Sequence, residues 1–305
     1  MASLKSIKTK IVSYKKTGTV THAMEAVSAV KMRKSQERAL NGRAYAAAAL
    51  SVLERLAGTP DAERHPLAKE QIGKTCIIVI TSDKGLAGSL NSAVVRSVEA
   101  EIARRRLAKN DVVMIAVGRR GGDYFASRGY EVRVKHENVS DGVSEGETRM
   151  ITDKLLEWKE AGEVGECVIA YQNFLSTFEQ EAGVRQIVPI TAEMMREMVQ
   201  HIRPAKGKYA PETGEKHEQP AVYTIEPSPE EVLSALLPKL LNIAVFHALL
   251  EAKASEHSAR MVAMKNATDK AKEMAGDLTR TFNKVRQAAI TREVSEITSG
   301  IEAMR

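Results

Sequence analysis

The run Ser82-Asp83-Lys84-Gly85-Leu86-Ala87-Gly88-Ser89-Leu90-Asn91 follows an apolar segment and opens a helical one, where phosphate-cradling loops occur. Phosphate chemistry there would use backbone N–H groups exposed by the glycines and a lysine aimed back at the anion. A P-loop needs GxxxxGK[ST], but Lys84 precedes the glycines. The GxGxxG dinucleotide fingerprint is also missing. A tight turn is therefore expected, and Gly118-Arg119-Arg120-Gly121-Gly122 fails the same tests. His247 and His257 would stand about 15 Å apart on a helix, too far to share a metal. No Ser/His/Asp or Cys/His arrangement has supporting spacing. No catalytic, cofactor-binding or metal-binding residue is expected.

Cys76 and Cys167 each sit in an apolar, strand-like run and are expected to be buried free thiols in a reducing compartment. Residues 1–43 hold ten Lys/Arg against two Glu, a net +8 that exceeds the +6 of the whole chain. Within them Lys31-Met32-Arg33-Lys34 is either a solvated helix face or an electrostatic contact. Such a block suits nucleic acid, a membrane surface or an acidic protein. It lacks the aromatic interleaving of a nucleic-acid surface.

These groups must be carried by two long helices and a sheet. Residues 3–57 read as one helix. Leu4, Ile7, Ile11 and Tyr14 make a short heptad seam that is expected to slip in phase, at Gly18, to Val20, Met24 and Val27. Gly58-Thr59-Pro60 should end the helix. From Lys74 the pattern changes to strands alternating with helices. Strands are expected at Thr75–Thr81, Asp111–Val117, Glu131–Lys135, Glu166–Tyr171 and Val184–Ile190. Helices are expected at Ser89 to about Ala108, Arg119–Arg128 and Glu147–Glu160. Continuous apolar strands argue for an α/β sheet covered on both faces.

Ser228-Pro229-Glu230-Glu231 is a capping-box start for the last helix, and Pro238 should bend it. Fourteen residues then alternate at spacings of four and three: Ile243, His247, Leu250, Ala254, His257, Met261, Met264, Thr268, Ala271, Ala275, Leu278, Phe282, Val285 and Ala289. This a/d seam, with its histidines as register-setting polar positions, should wind against the N-terminal helix. A helix from Ser228 to Ile301 would be roughly 110 Å long. Past Ala289 the seam slips to Ile290, Val294, Ile297 and Ile301, so the tip faces another way. No stretch reaches the roughly 18 to 20 apolar residues of a membrane span, and the N-terminus does not look like a secretory signal. The expected organisation is an N-terminal coiled-coil helix at 1–58, a Rossmann-like α/β domain at 74–225 and a C-terminal coiled-coil helix at 228–305.

With these blocks in view, the chain resembles the gamma subunit family of the F-type rotary ATP synthases. The resemblance rests on Ala23-Met24-Glu25 with Lys31 to Gln36, on Ser82 to Asn91, and on a C-terminal series. That series runs from Ala254-Ser255-Glu256-His257 through Ala263 to Asp269, then Asn283-Lys284, Arg286 to Thr291 and Glu293. The resemblance implies a shaft of two antiparallel helices on an α/β foot, turning inside a hexamer of alpha and beta subunits. The foot would stand with an epsilon subunit on the membrane ring of c-subunits, at the cytoplasmic face of a bacterial plasma membrane, one copy per complex. The shaft would have no active site, no cofactor and no nucleic-acid partner. By position, Lys31, Arg33, Lys34, Arg286, Gln287, Thr291, Glu293 and Glu296 match family residues near beta-subunit loops, and Tyr223 and Glu226 match foot residues near the c-ring.

The chain also departs from the family. Ala87 stands where many relatives have Cys, and no cysteine pair occurs in 200–220, so the chloroplast thiol switch is not expected. The loop of about 200–220 is longer than in compact bacterial members, and Ile301 to Arg305 is bulkier and more charged. Two rivals remain at this stage. A coiled-coil nucleic-acid binder predicts steeply salt-dependent binding. An α/β enzyme using the Gly-rich loop predicts nucleotide binding.

Overall fold

The computed structural model describes residues 4–56, 64–191, 194 and 228–304, with side chains of the first helix described to Arg38. Helix α1 spans Leu4–Leu56. Then follow β1 Lys74–Ile80, α2 Leu90–Arg105, β2 Val112–Val117, α3 Arg119–Ser127, β3 Glu131–His136, α4 Glu145–Glu160, β4 Val164–Phe174, β5 Gln180–Val188 and α5 Pro229–Glu302. The fold is the expected one, a central α/β sheet with long helices at both ends. By internal contacts the chain divides into residues 30–259 and residues 1–29 with 260–305. Both divisions cut through a long helix, one through α1 and the other through α5. The expected end of the first helix at Gly58-Thr59-Pro60 and the 200–220 loop lie outside the described residues.

In residues 30–259 the five strands run in the order β3-β2-β1-β4-β5. The first four are parallel to their neighbours, and β5 returns antiparallel to β4. Side chains alternate across the sheet, so each strand feeds two cores. Ile77, Val79, Met114, Val168 and Ala170 face α2 and α3, where Val94, Val98, Ile102 and Phe125 close one layer. Ile78, Ile80, Val113, Ile115 and Ile169 face the other way, against Ile151 and Leu155 of α4 and a row from α5. That row is Leu233, Leu237, Leu240, Leu241, Val245 and Leu249, all at most 2% exposed.

The α5 row corrects two expectations. The heptad spacing predicts coiled coil from Ile243, but Ile243 to Leu250 belong to the sheet core. Helix α5 also holds an 18-residue stretch of mean hydropathy 1.7, apolar enough by length and composition to cross a membrane. Its apolar first turns are accounted for by packing on the sheet. Ser228 caps the helix as expected, accepting from Glu231 N at 3.2 Å. Pro238 lies inside α5 without ending it.

Element limits moved where backbone chemistry outweighed apolar pattern. Helix α2 stops early because Arg106 takes a left-handed conformation, φ 54°, and its N–H returns to the last turn. Helix α4 starts early because Ser144 and Glu147 form a capping box. Strands β4 and β5 extend through polar residues, Gln172 pairing Ala182 and Phe174 pairing Gln180. Ladder hydrogen bonds hold this hairpin, and no alternation announces it. Helix α5 steadies it, Ser255 donating to Gln172 O at 3.0 Å.

In residues 1–29 with 260–305, α1 and α5 pair antiparallel. The Thr21 and Thr268 hydroxyls meet at 2.6 Å in a buried contact. A Cβ placed on Gly18 would lie 3.6 Å from the Ala271 Cβ. Both pairs fit one antiparallel register, which sets Leu4, Ile7, Ile11 and Tyr14 against Val285, Phe282, Leu278 and Ala275. The expected phase slip to Val20, Met24 and Val27 is absent. Heptad spacing continues through Gly18, Thr21, Glu25 and Ser28, and Thr21 and Ser28 are buried while Val20 and Val27 are 58% and 56% exposed. Small hydroxyl residues fill the seam because they let the two helices approach closely and can bond across it or to their own carbonyls, as Ser28 does to Met24 O at 2.7 Å.

This packing predicts a split response at Gly18. Gly18→Ala should stabilise the chain by about 0.5–1 kcal/mol, since the helix gains propensity and the Cβ finds ordinary contact distance. Gly18→Leu should destabilise it by roughly 1–3 kcal/mol through overpacking. Thermal unfolding of the full chain reads both signs.

Candidate functional site

Doubly wound sheets bind ligands beyond the carboxyl ends of their strands, where strand order reverses. Here that point lies between β1 and β4, with the Ser82–Asn91 loop above it. The loop is locked by its own side chains. Ser82 N donates to Asn91 Oδ1 at 2.9 Å, and the Ser82 hydroxyl donates to Lys84 O at 2.6 Å. Asp83 accepts from Arg119 N and Asn138 N, each at 3.0 Å. Leu86 is held at φ 63°. Helix α5 fills the space below with Lys253 and Glu256, both about one-tenth exposed. The cavity left among Ile80, Ser82, Val117, Gln172 and these two residues is about 10 Å³. That is room for roughly one water, far short of a nucleotide. The loop is a tight turn, as its spacing predicted.

The basic segment is only partly free. Lys31 Nζ lies 2.8 Å from Asp141 Oδ2, with its side chain about half exposed. Arg33 and Lys34 are exposed. Asp141 also meets His257 Nε2 at 2.8 Å, so His257 finds a loop carboxylate where a register role against the facing helix was expected. Burial alone would raise the Asp141 pKa, but Lys31 and His257 outweigh it and bring it down to about 2. Sequence reasoning missed Asp141. Nothing in Ser140-Asp141-Gly142 marks which helices will meet it.

Near the C-terminus, Arg286, Gln287, Thr291, Glu293 and Glu296 are all exposed, and Glu296 pairs with Arg292 at 3.3 Å. Arg286, Ile290, Glu293 and Ile297 share one line of the helix, with Gln287, Thr291 and Val294 on the next. The expected apolar tip stripe is open, Ile290, Val294, Ile297 and Ile301 being 52–59% exposed. Tyr223 and Glu226 lie outside the described residues. Among the described residues, no three His, Cys, Asp or Glu side chains cluster as a metal site.

Cys76 and Cys167 are free, fully buried and directly opposed in the register of β1 and β4. Burial, and then the neighbouring Cys76, push the Cys167 thiol well above its ordinary pKa. A thiol so held is a poor nucleophile. Neither cysteine should therefore act as a redox switch, and the protein's activity should not change with dithiothreitol or mild oxidant. A reversible, several-fold change abolished by mutating either cysteine would overturn this.

The arrangement defines a mixed α/β sheet protein with a long helix at each end of the chain, the last of which also closes one face of the sheet. Residues 3–304 match the family model described as ATP synthase. ATP synthase gamma chains from Heliobacterium modesticaldum and Geotalea daltonii are each 38% identical, over the full length of both chains. The chain belongs to the ATP synthase gamma chain family. A solved chain from the Euglena gracilis mitochondrial ATP synthase, OSCP/F1/c-ring, shares the fold with a TM-score of 0.64 at 17% identity, covering 99% of this chain and 94% of that one.

Proposed function

We propose that this chain is the central rotor shaft of an F-type ATP synthase, coupling ion flow through a membrane c-ring to ATP synthesis or hydrolysis at beta-subunit sites. The observation that carries the reading is the open stripe Ile290, Val294, Ile297 and Ile301 beside Arg286 and Gln287. A contiguous apolar stripe with polar neighbours calls for a surrounding protein surface. An alpha/beta hexamer supplies one, and the slip of the stripe off the seam makes the tip asymmetric, as a rotor must be. Arg33 and Lys34, with Lys31 partly engaged by Asp141, would present a positive field to acidic beta loops. The sheet domain, with Tyr223 and Glu226 nearby in sequence, would stand with epsilon on the c-ring. This makes the chain a peripheral membrane protein at the cytoplasmic face, one copy per complex, with no nucleic-acid partner. The filled crevice under the Gly-rich loop supports a non-catalytic role.

The test has two parts. Calorimetric titration of ATP into the pure chain should show no micromolar binding. Adding the chain to alpha and beta subunits should yield sustained ATPase activity. Micromolar ATP binding, or no stimulation, would overturn the reading.

A further inference from the structure

The loop between β3 and α4 is held in a costly conformation. Asn138 and Val143 both have positive φ, 57° and 38°, and a β-branched residue there is strained. Such strain persists only where the surroundings over-determine it. Two carboxylates do so here. Asp83 takes the Asn138 N–H at 3.0 Å. Glu147 takes the Ser140 N–H at 2.7 Å and the Ser144 N–H at 2.7 Å, with both serine hydroxyls at 2.8 Å. Val143 is driven into the sheet core, 4% exposed.

The strained loop reaches both long helices within residues 30–259. Asp141 Oδ2 meets Lys31 of α1, and Asp141 Oδ1 meets His257 of α5, each at 2.8 Å. The Ser35 hydroxyl, fully buried, donates to Asp141 O at 3.4 Å. The Arg38 guanidinium occupies the space that a Cβ on Gly142 would need. One rigid loop thus grips about two turns of α1, through Lys31, Ser35 and Arg38, and one position of α5.

We infer that the 138–143 loop is a clasp fixing α1 and α5 in rotational phase on the sheet, with Asp141 as the positioning residue through which load passes between helices and sheet domain. The inference rests on the rotor reading above. A helix held to a sheet by apolar contact alone can slide or rotate under torque. A rigid carboxylate bridging two helices resists both motions, because either breaks an ion pair.

The test is Asp141→Asn, which keeps the shape and removes the charge, in complexes assembled in membrane vesicles. With the gradient dissipated by an uncoupler, ATP hydrolysis should stay within about twofold of wild type, as expected for loss of part-exposed ion pairs. The steady-state ion gradient built at saturating ATP should fall at least about threefold, within the range seen for coupling-network substitutions. Asp141→Glu should recover most of it. Wild-type gradient formation in Asp141→Asn would overturn the clasp. So would a parallel fall of hydrolysis and gradient with gamma content. Hydrogen exchange on the full chain decides independently of assembly. Residues 30–38 and 250–259 should exchange about fivefold faster in Asp141→Asn while β1 and β2 are unchanged, and unchanged helix exchange would overturn the clasp. If the wild-type chain fails to support ATPase with alpha and beta, the rotor reading fails instead.

Discussion

Replacing Arg286 and Gln287 together by alanine is expected to leave the chain in the complex and to cut ATP-driven ion pumping by about tenfold or more. Both side chains project into solvent from α5, so the chain's own packing loses nothing. Val285 and Phe282 next to them keep their half-buried seam positions. Hydrogen bonds to charged groups contribute roughly 1.5–3 kcal/mol when a rigid partner receives them, and about 1.4 kcal/mol corresponds to tenfold in rate. The measurement is ATP-driven pumping and ATPase rate in assembled membranes, alongside gamma content. Normal incorporation with wild-type coupling would remove the assignment of this stretch. Loss from the complex would make it an assembly surface. Arg33→Ala and Lys34→Ala should each be mild by comparison, since single exposed charges are worth about 0–1 kcal/mol.

Gly118→Ala should be strongly destabilising. Gly118 ends β2 at φ 90°, and a Cβ there would sit 2.0 Å from the Thr81 carbonyl oxygen. The neighbouring chains cannot part, because Gly118 N donates to His136 O at 2.8 Å and Thr81 N to Val117 O at 2.8 Å. Backbone strain of about 1–3 kcal/mol adds to overpacking of about 1–3 kcal/mol. Together they take a large share of the roughly 5–15 kcal/mol that stabilises a typical domain. Gly88→Ala, also at positive φ but with nothing within 4 Å, should cost only about 1 kcal/mol. Thermal unfolding of the two variants side by side checks the contrast. Equal shifts would show that the sheet gives way at Gly118 more easily than its hydrogen bonds imply.

The sheet was legible because parallel strands buried on both faces are written as unbroken apolar runs, such as Thr-Cys-Ile-Ile-Val-Ile at 75–80. The shaft was legible from its period, but its contacts were not. In α1 the eye follows Val20 and Val27, which face out, while Thr21 and Ser28 carry the interface. Apolarity is a good guide to burial in a thick core and a poor one between two helices that touch through small side chains. In α5, Ile243 and Leu250 keep heptad spacing yet pack on a sheet, because a helical stripe does not say what it will lie against. At the candidate site, exposed Arg286 and Gln287 could be placed only by resemblance. Asp141 depends on three segments more than a hundred residues apart and left no local trace.

The use of α5 as the last layer of the sheet core also orders events during synthesis. When β5 has emerged, one face of the sheet is covered by α4 with Leu67 and Val143, and its remaining cover, Leu233 to Leu249, is still unmade. The interval from Val188 to Leu250 is about 62 residues, roughly 3 to 12 s at ordinary elongation rates. Throughout it a broad apolar sheet face is open to other nascent chains. The domain cannot close until nearly the whole polypeptide exists, so premature termination before the last helix should yield an aggregating fragment, never a loose but folded sheet domain.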